Sequence, residues 1–269
     1  MPQNVLITGA SSGFGEALVG AFADAGATVT ATMRDLGKTP SSFAAREGVL
    51  VQYLDVTDED SVGAAVAAAE ATFGPIDVLV NAAGYTQVGS AEELTLDEIR
   101  KLFDANFFGL VSTMKAVLPD MRQRGRGHII NFSSLAGVVG LPIVSAYSAT
   151  KWAVEGYTEA LSRDLAHLGV TFTIVEPGMF ATNLGASASR PETPIDAYYS
   201  SDAAIGRRWY DGTTGDLAEA ARAIVSIAGT ENPPLRLYVG HALDDARRYA
   251  QERLDEWDRW RHLTDATLG

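Results

Sequence analysis

Short runs of β-branched residues alternate with longer stretches of helical spacing almost from one end of the chain to the other. Parallel strands need crossovers long enough to hold a helix, so this alternation leaves few folds open besides a parallel sheet covered by helices. The runs that read as strands are Val5 to Thr8, Thr28 to Met33, Val49 to Leu54, Val78 to Asn81, His128 to Ser133, Thr171 to Glu176 and Arg236 to Val239. Helical spacing covers Gly13 to Ala25, Asp58 to Phe73, Leu96 to Arg124, Ser145 to Leu168 and Asp216 to Ala228, several of them opened by a Ser, Thr or Asp placed to cap. The expected fold is α/β, a single doubly wound domain over residues 1–269 with a seven-stranded parallel sheet flanked by helices. A chain of 269 residues, 46% of them hydrophobic, fills one such domain and would be cramped as two.

Charge and composition exclude several kinds of work. A formal net charge of −13 argues against a protein that neutralises nucleic-acid phosphates or an anionic membrane surface. Any anionic ligand must then meet a local positive site. There is no cysteine, which removes disulfides, thiolate ligands and a cysteine nucleophile. The histidines, His128, His167, His241 and His262, have no ligand spacing, so no metal is expected. No apolar run approaches the roughly 20 residues that span a bilayer. A strand that starts at Val5, with no charged and apolar leader before it, points to a cytoplasmic protein.

The alternation breaks once. Residues 183–215 are rich in Ser, Pro, Asp and Gly yet carry Tyr198, Tyr199, Trp209 and Tyr210, a mixture that suits a lid over an apolar site as well as an anchored surface excursion. The C-terminal stretch Ala242 to Leu263 reads as a charged helix whose Leu243, Tyr249, Leu254, Trp257 and Trp260 pack on this molecule or on a neighbouring subunit.

Two motifs carry chemistry. Thr8-Gly9-Ala10-Ser11-Ser12-Gly13-Phe14-Gly15 stands between the first strand and first helix, where glycines let the backbone approach a pyrophosphate at the positive end of the helix. Its spacing is Gly-x-x-x-Gly-x-Gly, a weak signal by itself. The same residues match Gly-x-Ser-x-Gly, the nucleophile elbow of hydrolases, but that elbow follows a central strand and only one strand precedes Ser11. The second motif is Tyr147 and Lys151, four apart at the start of a long helix and therefore on one face. A tyrosine with pKa near 10 is protonated at neutral pH, and an adjacent ammonium favours its phenolate.

Taken with other positions in order, these motifs make the chain resemble the short-chain dehydrogenase/reductase family from end to end. The likeness is to its short single-domain branch and the NADP-preferring carbonyl and hydroxysteroid reductases. It implies a Rossmann-type sheet of order 3-2-1-4-5-6-7, bound NADP(H) and hydride exchange with a ketone or secondary alcohol. Gly9, Ser11, Ser12, Gly13, Phe14 and Gly15 match the cofactor loop, and Asp55-Val56 the acid that receives the adenine amino group. Asn81-Ala82-Ala83-Gly84 resembles Asn-Asn-Ala-Gly, with Ala82 replacing the second Asn and removing any side-chain contact there. Pro177-Gly178-Met179-Phe180-Ala181-Thr182 resembles the element that cups the nicotinamide half.

For catalysis the resemblance implies Asn106, Ser134, Tyr147 and Lys151. Ser134 lies thirteen positions before Tyr147 and would hold the substrate oxygen, while Tyr147 moves its proton. Lys151 would bind the nicotinamide ribose and lower the Tyr147 pKa, and Asn106 would interrupt a helix to order a water. Counted against the family pattern, the tip of the second strand is Met33 followed by Arg34, where an NAD-preferring protein places an acid. Arg34 can pair with a 2′-phosphate, with Ser12 adding a hydroxyl; Asp35 is the rival reading, one step further along. The substrate pocket is expected to be apolar and bounded by Val138, Val139, Leu141, Phe180, Leu184, Tyr199 and Trp209, suiting bulky ketones. The resemblance further implies a homodimer or homotetramer, and the net charge leads one to expect no nucleic-acid or membrane partner. A catalytically idle NADP(H)-binding regulator on the same fold is the alternative from another class.

Overall fold

The computed structural model describes residues 3–182, 188–199 and 214–268. Seven strands form one parallel sheet: β1 (Asn4–Thr8), β2 (Thr28–Met33), β3 (Val49–Tyr53), β4 (Val78–Asn81), β5 (Gly127–Phe132), β6 (Val170–Pro177) and β7 (Arg236–Val239). Their order is β3-β2-β1-β4-β5-β6-β7. The chain leaves β1 toward β2 and β3 on one side and returns to place β4 on the other. The carboxyl ends of β1 and β4 thus flank the crevice where ligands of such sheets bind.

Period-two alternation feeds two cores. Ile7, Val29, Val78, Val80 and Ile130 face α1 (Gly13–Asp24) and α7 (Leu217–Ala228), packing with Phe22 and Ile224. Leu6, Leu79 and Ile129 face the other way, against α2 (Glu59–Phe73), α4 (Gly109–Arg124) and α6 (Ser145–Leu165), meeting Met114, Val117 and Val154. Strands buried on both faces account for the continuous Val, Leu and Ile runs. Each such fully buried side chain contributes about 1.5–3 kcal/mol.

The stretch expected as one helix from Leu96 to Arg124 is three pieces. α3 (Leu96–Phe103) opens on a capping box of Thr95 and Glu98, a π-helical turn follows over Asp104–Phe108, and α4 runs on to Gly125 in the left-handed region. A four-residue helix α5 (Leu135–Val138), capped by the Ser134 side chain, was hidden in a run too short to show helical spacing.

The C-terminal stretch divides at Trp260 into α8 (Leu243–Arg259) and α9 (Arg261–Asp265). Its first turns pack within this molecule, Ala246 and Tyr249 against Leu135, Val138 and Val139. Residues 251–268 are exposed along their whole length. Among the described residues no helix is long and apolar enough to cross a membrane.

Candidate active site

Parallel strands end on one edge, so the expected site residues, scattered through the sequence, come to line that edge. After β1 the chain turns at Gly9 with φ +71°, and a Cβ there would lie 2.7 Å from the Ala83 Cα. Gly15 is equally tight, since its Cβ would fall 2.2 Å from the Gly9 carbonyl oxygen. These contacts press the first helix against its loop and leave the α1 amino end open at the edge. Ser12 is the N-cap of α1, yet its hydroxyl makes no capping bond. Serine at that position ordinarily caps, so the hydroxyl and the first-turn N–H groups are left for an anionic ligand. Thr182 closes the other side, 3.5 Å from where a Gly13 Cβ would be.

The neighbouring elements hold this loop in place. Ala83 N–H donates to Thr8 Oγ1 at 3.1 Å. Asn81 turns inward: its amide donates to Asn131 Oδ1 at 2.9 Å, and its oxygen accepts from Thr113 at 2.6 Å. Its side chain therefore braces β4 against β5 and α4. Asp55 receives Thr57 N–H and hydroxyl on one carboxylate oxygen, at 2.9 and 2.8 Å, leaving the second for a ligand. Phe180 wedges edge-on against Phe14, ring centroids 4.8 Å apart, with the Gly215 and Gly240 backbones behind it. That ring packs on the cofactor-loop side of the edge.

Catalytic candidates converge at the start of α6. Tyr147 and Lys151 are 7% and 6% exposed, and the Lys151 ammonium lies 5.7 Å from the Tyr147 ring centre. The Ser134 hydroxyl accepts from Ala136 N–H at 3.1 Å and lies close enough to Tyr147 to act on its titration. Lys151 donates to the Phe132 carbonyl at 2.8 Å. Burial pushes the Tyr147 pKa up to about 12, with the nearby Ser134 hydroxyl opposing. Burial also draws Lys151 down to about 8, with the nearby Glu155 carboxylate opposing.

Asn106, in the π-helical turn, is 1% exposed. It accepts from Tyr85 N–H at 3.0 Å and donates to the Tyr85 carbonyl at 2.9 Å and to Thr150 Oγ1 at 3.2 Å. The widened turn is what lets one side chain reach across to the chain after β4. A Cβ on Gly84 would sit 3.0 Å from Asn106 Oδ1 and 3.9 Å from Lys151 Nζ, so these three positions meet.

At the far end of the groove the tip of β2 is Met33, 3% exposed, and Arg34 follows it exposed. Among the described residues Arg34 has no ion pair or hydrogen bond, though its charge reaches Tyr85. Asp35 is engaged locally: it caps a 3-10 turn by accepting Gly37 N–H at 2.9 Å and pairs with Lys38.

Of the residues expected to bound the substrate, Leu141 packs beside Tyr147 while Val138 and Val139 lie under α8. Tyr199 is placed by a hydrogen bond to Glu93 at 2.9 Å. Leu184 and Trp209 lie outside the described residues, as do 183–187 and 200–213 of the proposed lid. Sequence reasoning missed Tyr85 and Thr150, and the bond by which Thr8 holds Ala83, because these contacts are between distant segments. It also missed Arg236, which ties Glu155 and Glu159 of α6 to Glu176 of β6 at 3.1, 2.6 and 3.4 Å.

A doubly wound sheet with this set of side chains at its switch point has the architecture of an oxidoreductase. The profile of the short chain dehydrogenases matches residues 3–193. A 3-ketodihydrosphingosine reductase of Bacteroides thetaiotaomicron is 38% identical over 245 residues, covering 89% of this chain and 88% of that protein. Among solved structures, a short-chain dehydrogenase from Streptomyces avermitilis superposes with a TM-score of 0.88 at 39% identity, over 99% of both chains. ElxO with NADP bound gives 0.76 at 30% identity, over 89% of this chain and 97% of that one. The chain belongs to the short-chain dehydrogenase/reductase family.

Proposed function

We propose that the protein is an NADP(H)-dependent reductase of a bulky apolar ketone, or in reverse a dehydrogenase of the secondary alcohol, with Tyr147 as general acid or base. The observation that carries this reading is the closeness of the buried Tyr147 to Lys151 and to Ser134 at the start of α6. The edge fits the cofactor on the chain's own terms: an uncapped helix N-terminus at Ser12, a free carboxylate oxygen on Asp55 and a buried ammonium on Lys151. When bound, the nicotinamide supplies or takes the hydride.

The remaining work falls to side chains. Ser134 fixes the substrate oxygen by a hydrogen bond, directed by its own bond from Ala136 N–H. Tyr147, held protonated at neutral pH by burial, donates a proton to that oxygen as it gains charge. Lys151, a cation below about pH 8, stabilises the phenolate left behind and binds ribose hydroxyls. Asn106 holds the π-helical turn that keeps Gly84 and Lys151 together.

Arg34 supports NADP(H) over NAD(H), because among the described residues its guanidinium is unpaired at the β2 tip, which suits a 2′-phosphate, and Asp35 is paired with Lys38. NADP in ElxO and the ketone-reductase name of the Bacteroides relative agree with this reading. The test is cofactor consumption, followed by absorbance, with NADPH and NADH against a panel of ketones. Turnover of bulky apolar ketones with NADPH is expected. NADPH binding without turnover would favour an idle regulator, and faster turnover of charged or sugar-like compounds would overturn the apolar pocket.

A further inference from the structure

Beside the catalytic helix, two segments more than a hundred residues apart meet at the carboxylate of Glu93. Oε1 accepts from Ile195 N–H at 2.6 Å; Oε2 accepts from Ser90 N–H at 2.7 Å and the Tyr199 hydroxyl at 2.9 Å. Next to it, Glu92 accepts from the Tyr198 hydroxyl. At the other end of the loop Val88 N–H donates to the Ser189 carbonyl at 2.9 Å, and Gln87 and Ser189 form a parallel bridge. Residues 188–199 thus form a strap fastened at two points to the loop 87–94.

That loop is in turn fixed to the catalytic helix. Gly89 N–H donates at 2.7 Å to the carbonyl of Ile143, just before α6. Ile143 has φ +54°, a left-handed conformation costly for a β-branched residue and kept only where its surroundings impose it. Leu94, the residue after Glu93, packs in one cluster with Tyr147 and Leu141. Glu93 therefore stands between Tyr147's packing partners and the strap that carries Tyr199. Partial burial would raise its pKa, but donors from Ile195, Ser90 and Tyr199 outweigh this and hold the carboxyl at about 2, so it is ionised at any working pH. Hydrogen bonds to an ionised acceptor are the stronger kind.

We infer that Glu93 is a positioning residue for substrate selection: its carboxylate fixes the strap, and with it Tyr199, so that a bulky apolar substrate meets a wall already in place. The inference rests on the ketone-reductase reading above. A strap left loose would have to be ordered by the substrate itself, at the expense of affinity. Interactions made equally in the ground and transition states set KM and leave kcat alone.

The variant Glu93→Gln keeps the shape but turns an amide toward backbone donors, and Tyr199→Phe removes one donor only. Hydrogen exchange at the Ile195 amide and steady-state kinetics are measured for both alongside wild type. For Glu93→Gln, faster exchange at Ile195 and a KM for bulky ketones raised roughly tenfold, with kcat changing far less, are expected. Tyr199→Phe should move both readouts the same way by less. Unchanged exchange at Ile195 in Glu93→Gln would show that the carboxylate does not hold the strap. Faster exchange with an unchanged KM would show that the strap plays no part in selection; either result overturns the inference. Should wild type reduce no ketone, the ketone reading falls, and exchange still decides whether Glu93 holds the strap.

Discussion

The two ends of the crevice are built differently. At the proposed catalytic end Tyr147, Lys151 and Asn106 are 7%, 6% and 1% exposed, and each has partners inside the chain. At the proposed adenine end Arg34 is exposed and Asp55 is half-buried. Proton transfer needs fixed geometry and shifted pKa values, which burial provides. A phosphate needs only a cation within reach, and an exposed guanidinium can adjust to it. The difference implies that chemistry and cofactor choice are separable by substitution.

Four expected outcomes bear on that separation. Tyr147→Phe should lose at least roughly a hundredfold in kcat while binding NADPH and folding as wild type does, because only the transferable proton is gone. Near wild-type steady-state rates would end the assignment. Arg34→Ala should weaken NADPH by roughly ten- to a hundredfold, the loss of a charge-assisted bond, and leave NADH nearly unchanged. Titration of both cofactors checks this, and equal losses would show that Arg34 does not read the phosphate.

A pH profile probes the buried end alone. Tyr147 keeps its proton through neutral pH, so the first group to change on the alkaline side is Lys151, whose cationic form is lost as pH rises through about 8. Ketone reduction, as kcat/KM, should be level below that point and fall about tenfold per pH unit above it. A profile still level at much higher pH would mean that Lys151 stays charged or is not needed. The smallest effect is expected of Asp35→Ala, which removes a cap on an exposed turn and should lower stability by about 1 kcal/mol or less. The ratio of NADPH to NADH affinity should not move; a swing toward NADPH would make Asp35 the acid at the strand tip.

What could be read from the sequence divides along the same physical line. β2, β4 and β7 lie at the residues expected. The motif residues are legible where local spacing matters, as with Tyr147 and Lys151 one turn apart. The interruption at Asn106 was expected from family resemblance only; no local periodicity marks it, since its cause is a bond to Tyr85 21 positions away. Glu93 reads as surface charge until residues 188–199 are folded against it. Phe180, expected to flank both cofactor and substrate, has its ring packed on Phe14, a choice of side that spacing does not encode.

Separability is tested most directly by the single-turnover rate of Arg34→Ala at saturating NADPH with a bulky ketone. Once the weakened cofactor is forced on, the buried end should act as in wild type, with rates agreeing within about twofold, because Arg34 touches none of Ser134, Tyr147 or Lys151. A rate depressed as far as that of Tyr147→Phe would contradict the account, since the exposed arginine would then belong to the chemistry.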